Sequence, residues 1–162
     1  VCLCRELLIS CNAPSNTMTK DEIRNILEAP ITNPDFIDKF VLAGEKLVNF
    51  FELGAGLILL SDSTMMQKSE LLITLFDTNE NYIIGDNELV ILVRCCLTAI
   101  ATLASGKYYN LIKTEDVKRE LIEIKKDNRY AKDEGISVSD FTHFLMESTE
   151  ILKFLNYFGL FM

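Results

Sequence analysis

The chain has 162 residues, of which 49% are hydrophobic and 25% charged, and its net charge is −8. That is enough apolar material for one compact domain or two small packed lobes, and too much for a disordered chain. The acidity is divided evenly between residues 1–66 and 67–162 and forms no tail. The whole body therefore repels phosphate backbones, which disfavours nucleic acid as a partner and favours cations and basic amphipathic segments.

No signal-peptide pattern stands at the N-terminus, and because residue 1 is Val the sequence leaves room for a preceding segment. The five cysteines, Cys2, Cys4, Cys11, Cys95 and Cys96, are odd in number and contain no CxxC pair. They read as reduced thiols of an intracellular protein, with Cys95 and Cys96 packed as small hydrophobes. Two apolar stretches, Leu53 to Leu60 and Leu89 to Ala104, are shorter than the roughly 20 residues a bilayer requires, and the second contains Arg94. Both are expected to be buried helices, so no transmembrane segment is expected.

Taken in chain order, one local pattern recurs four times: an apolar residue, a helix-capping residue, two further residues, an acid and another apolar residue. It reads Met18-Thr19-Lys20-Asp21-Glu22-Ile23, Val48-Asn49-Phe50-Phe51-Glu52-Leu53, Ile84-Gly85-Asp86-Asn87-Glu88-Leu89 and Ile136-Ser137-Val138-Ser139-Asp140-Phe141. In three of the four the cap is Thr, Asn or Ser, with an acid three positions later. This is the capping-box arrangement, in which the cap accepts from free helix N–H groups and the acid reaches back. One such box is common; four in register suggest a repeated loop-to-helix unit, the competing reading being four unrelated helix starts in an ordinary bundle.

Between these points, Asn33-Pro34-Asp35 predicts a helix start with Phe36, Phe40 and Val41 on one face. Lys68 to Phe76 carries Leu71, Leu72, Leu75 and Phe76 at helical spacing. Thr114-Glu115-Asp116 opens a helix with Val117, Leu121 and Ile124 inward, and Phe141, Phe144 and Leu145 line the next. Leu89 to Leu103 is apolar on nearly every side, so it is buried between lobes or lines an occupied groove. Ile151 to Met162 is an apolar ending that is expected to dock in such a groove. The fold class is therefore all-α, with short strand pairing at most.

The third repeat carries metal-site chemistry. In Asp77-Thr78-Asn79-Glu80-Asn81-Tyr82-Ile83-Ile84-Gly85-Asp86-Asn87-Glu88, positions 1, 3, 5, 7, 9 and 12 are Asp77, Asn79, Asn81, the Ile83 carbonyl, a water near Gly85, and Glu88 as the bidentate carboxylate. A hard cation such as Ca²⁺ takes its oxygens from those positions of a twelve-residue loop. The candidate metal residues are thus Asp77, Asn79, Asn81, Ile83 and Glu88. Ile84 occupies the apolar position from which a short strand would pair with a neighbouring loop.

This stretch resembles an EF-hand loop, and the chain over roughly residues 10–160 resembles EF-hand proteins of the calcineurin-B and neuronal-calcium-sensor type. The likeness is strongest in Val48-Asn49-Phe50-Phe51-Glu52-Leu53 through Leu75-Phe76-Asp77, and returns in Gly135-Ile136-Ser137 with Asp140-Phe141 and in Glu150-Ile151-Leu152-Lys153-Phe154-Leu155-Asn156-Tyr157-Phe158. The resemblance implies four helix-loop-helix units paired into two lobes, residues 1–66 and 67–162, with short loop-loop β pairs and apolar grooves that take partner helices. One departure lies in the third loop. Tyr82 stands where the family has Gly at the sharp turn, and a bulky residue at φ > 0 is strained by about 1 kcal/mol. Two of the four side-chain ligands are neutral amides, which weakens Ca²⁺ binding. The competing reading is a polar turn, or a loop that keeps the shape without the ion. The other loops are degenerate: Cys11, Ala13 and Ser15, then Val41, Ala43 and Glu45, then Arg129, Ala131 and Asp133 stand at their first three ligand positions.

Other chemistries find little support. His143 is the only histidine, which excludes multi-His metal sites. Gly54-Ala55-Gly56 is no phosphate loop, and no GxxxxGK[ST] or GxGxxG occurs. Lys118-Arg119 and Lys125-Lys126 read as a solvated helix face, and Tyr108-Tyr109 as aromatics tucked against the core or a partner contact. No catalytic residue is assigned, and a binding protein is expected in place of an enzyme. The primary expectation is a calcium-sensor-like regulatory or scaffolding protein of the cytoplasm, with at most one weak Ca²⁺ site, that holds a partner's amphipathic helix. The alternative is a calcium-independent, light-chain-like subunit of a cytoskeletal or axonemal (ciliary) assembly.

Overall fold

Each short strand among the described residues leads into a helix with at most one residue between them. The computed structural model describes residues 17–27, 35–42, 45–77, 79–109, 112–127 and 135–147. Their order is β1 (Thr17–Thr19), α1 (Lys20–Leu27), α2 (Asp35–Asp38), β2 (Leu47–Asn49), α3 (Phe50–Leu60), α4 (Met65–Phe76), β3 (Ile83–Ile84), α5 (Asp86–Ser105), α6 (Thr114–Asp127), β4 (Ile136–Ser137) and α7 (Val138–Glu147). The protein is mostly helical, as expected, with two small antiparallel sheets among the described residues. The apolar ending Ile151 to Met162 lies outside them, as do Phe144 and Leu145 as side chains.

The two sheets pair the repeat with itself. β1 pairs with β2 in the register Met18↔Val48, and β3 with β4 in the register Ile84↔Ile136. All four residues are buried. They are the leading apolar residues of the four sequence repeats, so each ladder is centred on the same repeat position in both strands.

Four of the helices start where the repeat places a cap. Thr19 N donates to Glu22 Oε2 at 2.8 Å while Glu22 N donates to Thr19 Oγ1 at 3.3 Å, a complete capping box. Ser137 and Asp140 are tied by Oγ–H to Oδ2 at 2.8 Å and by Asp140 N to Ser137 Oγ at 3.2 Å. Gly85 has no side chain to cap with, but its N–H donates to Glu88 Oε2 at 2.9 Å. Asn49 Oδ1 accepts from Phe51 N and Glu52 N at 3.1 and 3.3 Å. Glu52 departs from the expected box: it does not reach back to Asn49, because α3 buries that face against α5. A further box, Thr64-x-x-Gln67, was missed in the sequence although it has the capping-box spacing. Thr64 and Gln67 exchange bonds of 3.0 and 3.3 Å, so α4 begins at Met65, one turn before the Lys68 start expected from apolar spacing.

α3 packs most extensively against α5, α4 lies against both α3 and α7, and α6 covers part of α5. One hydrophobic cluster runs from Met18 to Phe141 across the expected boundary at residues 66 and 67. Phe51 stacks between Phe50 and Phe76, with centroid distances of 4.2 and 5.1 Å. α5 spans 20 residues, longer than the apolar run suggested, and is long and apolar enough by length and composition to cross a bilayer; half of its most apolar window is buried within this fold. It ends at Gly106, whose φ of 71° is the left-handed cap conformation that Gly adopts without a steric cost.

Gly54 and Gly56 lie inside α3, and close packing explains them. A Cβ on Gly56 would stand 2.8 Å from Cζ of Phe40, itself fully buried. Gly56→Ala must push an immobilised ring aside, and overpacking of this kind costs about 1–3 kcal/mol. The expected outcome is a lowered urea midpoint with an unchanged m-value, measured by circular dichroism; equal midpoints would show that Phe40 yields freely.

Candidate functional site

The loop between α4 and α5 is a ring of side-chain oxygens held by the loop's own backbone. Asp77, the C-cap of α4, accepts from Asn81 N through Oδ1 at 3.2 Å and from Tyr82 N through Oδ2 at 2.7 Å. Asn79 Oδ1 also accepts from Asn81 N, at 3.2 Å, and Asn81 Oδ1 accepts from Ile83 N at 2.8 Å. Asn and Asp favour turns because they make such local bonds. Across the loop, Asn79 Nδ2 faces Glu88 Oε1 at 3.4 Å. Of the expected ligands, Asp77, Asn79, Asn81 and Glu88 are thus linked by hydrogen bonds around one turn. Ile83 sits on β3 opposite Ser137, next to the buried Ile84.

Tyr82 has φ of 60° and is exposed, as a side chain forced into the left-handed region at the surface. Glu80, which sequence reasoning passed over, has φ of 58° as well. Two left-handed residues in three positions make the sharp turn of the loop, across which Asn79 meets Glu88. Thr78 lies outside the described residues, as do Cys11, Ala13 and Ser15 of the first loop, Ala43 of the second, and Arg129, Ala131 and Asp133 of the fourth.

The donor set is made of hard oxygens, the class that Ca²⁺ takes. A carboxylate or amide oxygen has two lone pairs, so the single bonds made by Asp77 Oδ1 and Oδ2 and by Asn81 Oδ1 do not exhaust them. Glu88 lies in the first turn of α5, where the helix N-terminus favours its negative charge. Two carboxylates are all the charge the loop offers, and no group of three or more His, Cys, Asp or Glu residues suited to a metal occurs among the described residues. A cation held here would rest on Asp77 and Glu88 for charge, and on Asn79, Asn81 and the Ile83 carbonyl for neutral oxygens. The residues fit such an ion in type but are poor in charge.

The second cluster was missed by sequence reasoning. Glu52 is 1% exposed on α3, and its Oε1 lies 3.7 Å from Nη1 of Arg94 on α5. Burial pushes its carboxyl above the ordinary range, while the Tyr108 hydroxyl and Arg94 pull it down. Burial and the Glu52 charge push the Tyr108 phenol upward, and the neighbouring Cys95 thiol is raised to about 12 for the same two reasons in the same order. Such a thiol is protonated and a poor nucleophile. Tyr108 and Tyr109 are both half-buried, and Tyr109 N donates to Thr102 Oγ1 at 3.0 Å, so this pair is tucked against the core. The only sequence signal for the cluster was Arg94 interrupting an apolar helix.

Comparison with protein-family models and with curated proteins finds no match to this chain.

Asp77 is the hub of the loop's hydrogen bonds. Asp77→Ala removes the acceptor of two backbone N–H groups, and because water can replace it at this half-exposed site the expected loss is about 1 kcal/mol. Urea denaturation in chelator measures it. A loss under about 0.3 kcal/mol would mean that the turn holds itself through Asn79 and Asn81.

Proposed function

We propose that this protein is a regulatory or scaffolding module built from four EF-hand-like units, paired through their loops, with a single weak Ca²⁺ site at Asp77, Asn79, Asn81, Ile83 and Glu88. The observation that carries the reading is the double register Met18↔Val48 and Ile84↔Ile136. In each ladder, the residue four positions before the repeat's acid meets its counterpart, which is how paired loops of one type would meet. The loop 77–88 adds oxygens at alternate positions and an acid at the start of the following helix. The protein binds and is not assigned an enzymic role; the proposed location is the cytoplasm. Its proposed partner is another protein, engaged through an amphipathic helix, and the exposed Leu60, Met66 and Ile91 support an apolar contact.

A second reading keeps the architecture and drops the ion: a constitutive, light-chain-like subunit of a cytoskeletal or ciliary assembly. The left-handed Tyr82 and the neutral Asn79 and Asn81 favour it, since all three lower cation affinity.

Calorimetric titration of the chain with Ca²⁺, with and without Mg²⁺, separates the two. The first reading expects one weak site per chain, abolished by Glu88→Gln, which removes an anionic ligand. Two or more sites at millimolar Ca²⁺ would refute the single-site assignment, and no heat at all would leave the ion-free reading.

Tyr82→Gly tests the strain directly. Gly adopts φ near 60° freely, and relief of about 1 kcal/mol corresponds to roughly fivefold tighter Ca²⁺ binding. Unchanged or weaker affinity in that variant would show that the Tyr82 conformation does not oppose the ion.

A further inference from the structure

Three of the four repeat acids bond to their own caps, whereas Glu52 is turned into the interior. Its Oε2 has no hydrogen-bond partner among the described residues. Its Oε1 reaches Arg94 only at 3.7 Å, an ion pair beyond hydrogen-bond length. The Arg94 side chain is 28% exposed and so keeps part of its hydration. The carboxylate therefore lies in low dielectric with Oε2 unpaired, facing the Tyr108 hydroxyl and a cation that water partly satisfies, and burial outweighs both. A buried, incompletely paired charge of this kind disfavours the packed state, and its neutral form relieves the penalty.

We propose that Glu52 is a proton-operated latch, which tightens the packing of α3 on α5 as the pH falls. The titratable and charged groups that face it are Arg94 and Cys95 on α5 and Tyr108 just beyond α5; no group of α4 or of the first sheet bears on it among the described residues. Tyr108 and Cys95, both pushed above their ordinary values, remain protonated through the neutral range. Glu52 is thus the one member whose charge changes. Since burial raises its proton affinity in the folded chain, the folded state binds the proton more tightly than the unfolded state does. Stability is lowest above the raised folded value, grows as pH falls through it, and levels off below the ordinary Glu value of about 4.3. α3 follows the first ladder and α5 follows the second, so the contact under this control joins the two halves of the fold.

The test is urea denaturation of the whole chain in chelator between roughly pH 5 and pH 8, which makes it independent of any cation at residues 77–88. Glu52→Gln imitates the neutral acid. At about pH 8 it should unfold at higher urea than the wild type, and the two midpoints should converge as the pH falls toward the ordinary carboxylate range. Glu70→Gln, on the exposed face of α4, removes one negative charge without touching the contact and should follow the wild-type pH dependence. A Glu52→Gln variant less stable than wild type by a constant amount at every pH would overturn the proposal. If that variant does not fold, ¹³C NMR titration of the Glu52 carboxyl in the wild type decides. A midpoint above the ordinary range supports the latch, and one at or below about 4.3 overturns it.

Discussion

The architecture depends on two very short antiparallel ladders whose central residues are apolar on both strands. A ladder of two or three residues does not hold in water by itself. Here Met18, Val48, Ile84 and Ile136 are all buried, so each ladder is held as part of the core instead of by its hydrogen bonds alone. Because a cap and a helix follow each strand at once, fixing the register also fixes where α1, α3, α5 and α7 begin. A slip of one residue in either ladder would turn its apolar side chains outward and displace the two helix starts that follow it.

Most helices were legible because they rest on a local signal strong enough to survive tertiary packing; α2 instead ends at Asp38, so Phe40 and Val41 do not share its face, and Val41 bridges to Val48. Apolar spacing located α4, α6 and α7, and a cap followed by an acid located four helix starts. The failures have one cause: the sequence shows a residue's type and spacing but not the face it meets. Glu52 carries the same pattern as Glu22, yet one is buried against Arg94 and the other is exposed on its cap. Tyr108 was expected against the core or at a partner contact, but nothing in its type or spacing showed that it faces that same carboxyl. The Thr64 box escaped notice because its acid-like partner is Gln67, and the apolar run begins only after it.

In the candidate loop, sequence spacing identified the turn and the oxygens, since local Asx bonds depend on neighbours a few positions away. It identified strain at Tyr82 from the turn's need for φ > 0, but not at Glu80, where no residue type marks the conformation. These bonds also separate shape from affinity. Asp77 organises the turn by accepting two backbone N–H groups. What an ion would require in addition is charge, and Asn79 and Asn81 supply none.

α5 is where the two notable acids of the repeat converge. Glu88 lies in its first turn and bonds to Gly85 and Asn79, while Arg94, facing Glu52, lies about 9 Å further along the helix axis. Over that distance a helix behaves as one rigid body, because its backbone bonds run without interruption from Asp86 to Ser105. Leu89, Leu92 and Cys95 bury the same stretch in the shared core, so it cannot shift without disturbing α3. The loop at one end and the buried carboxyl near the middle therefore act on a single element, one through oxygens in water and the other through a charge kept from it. That contrast in solvent exposure, more than any difference in residue type, is what gives two copies of one sequence pattern different chemistry.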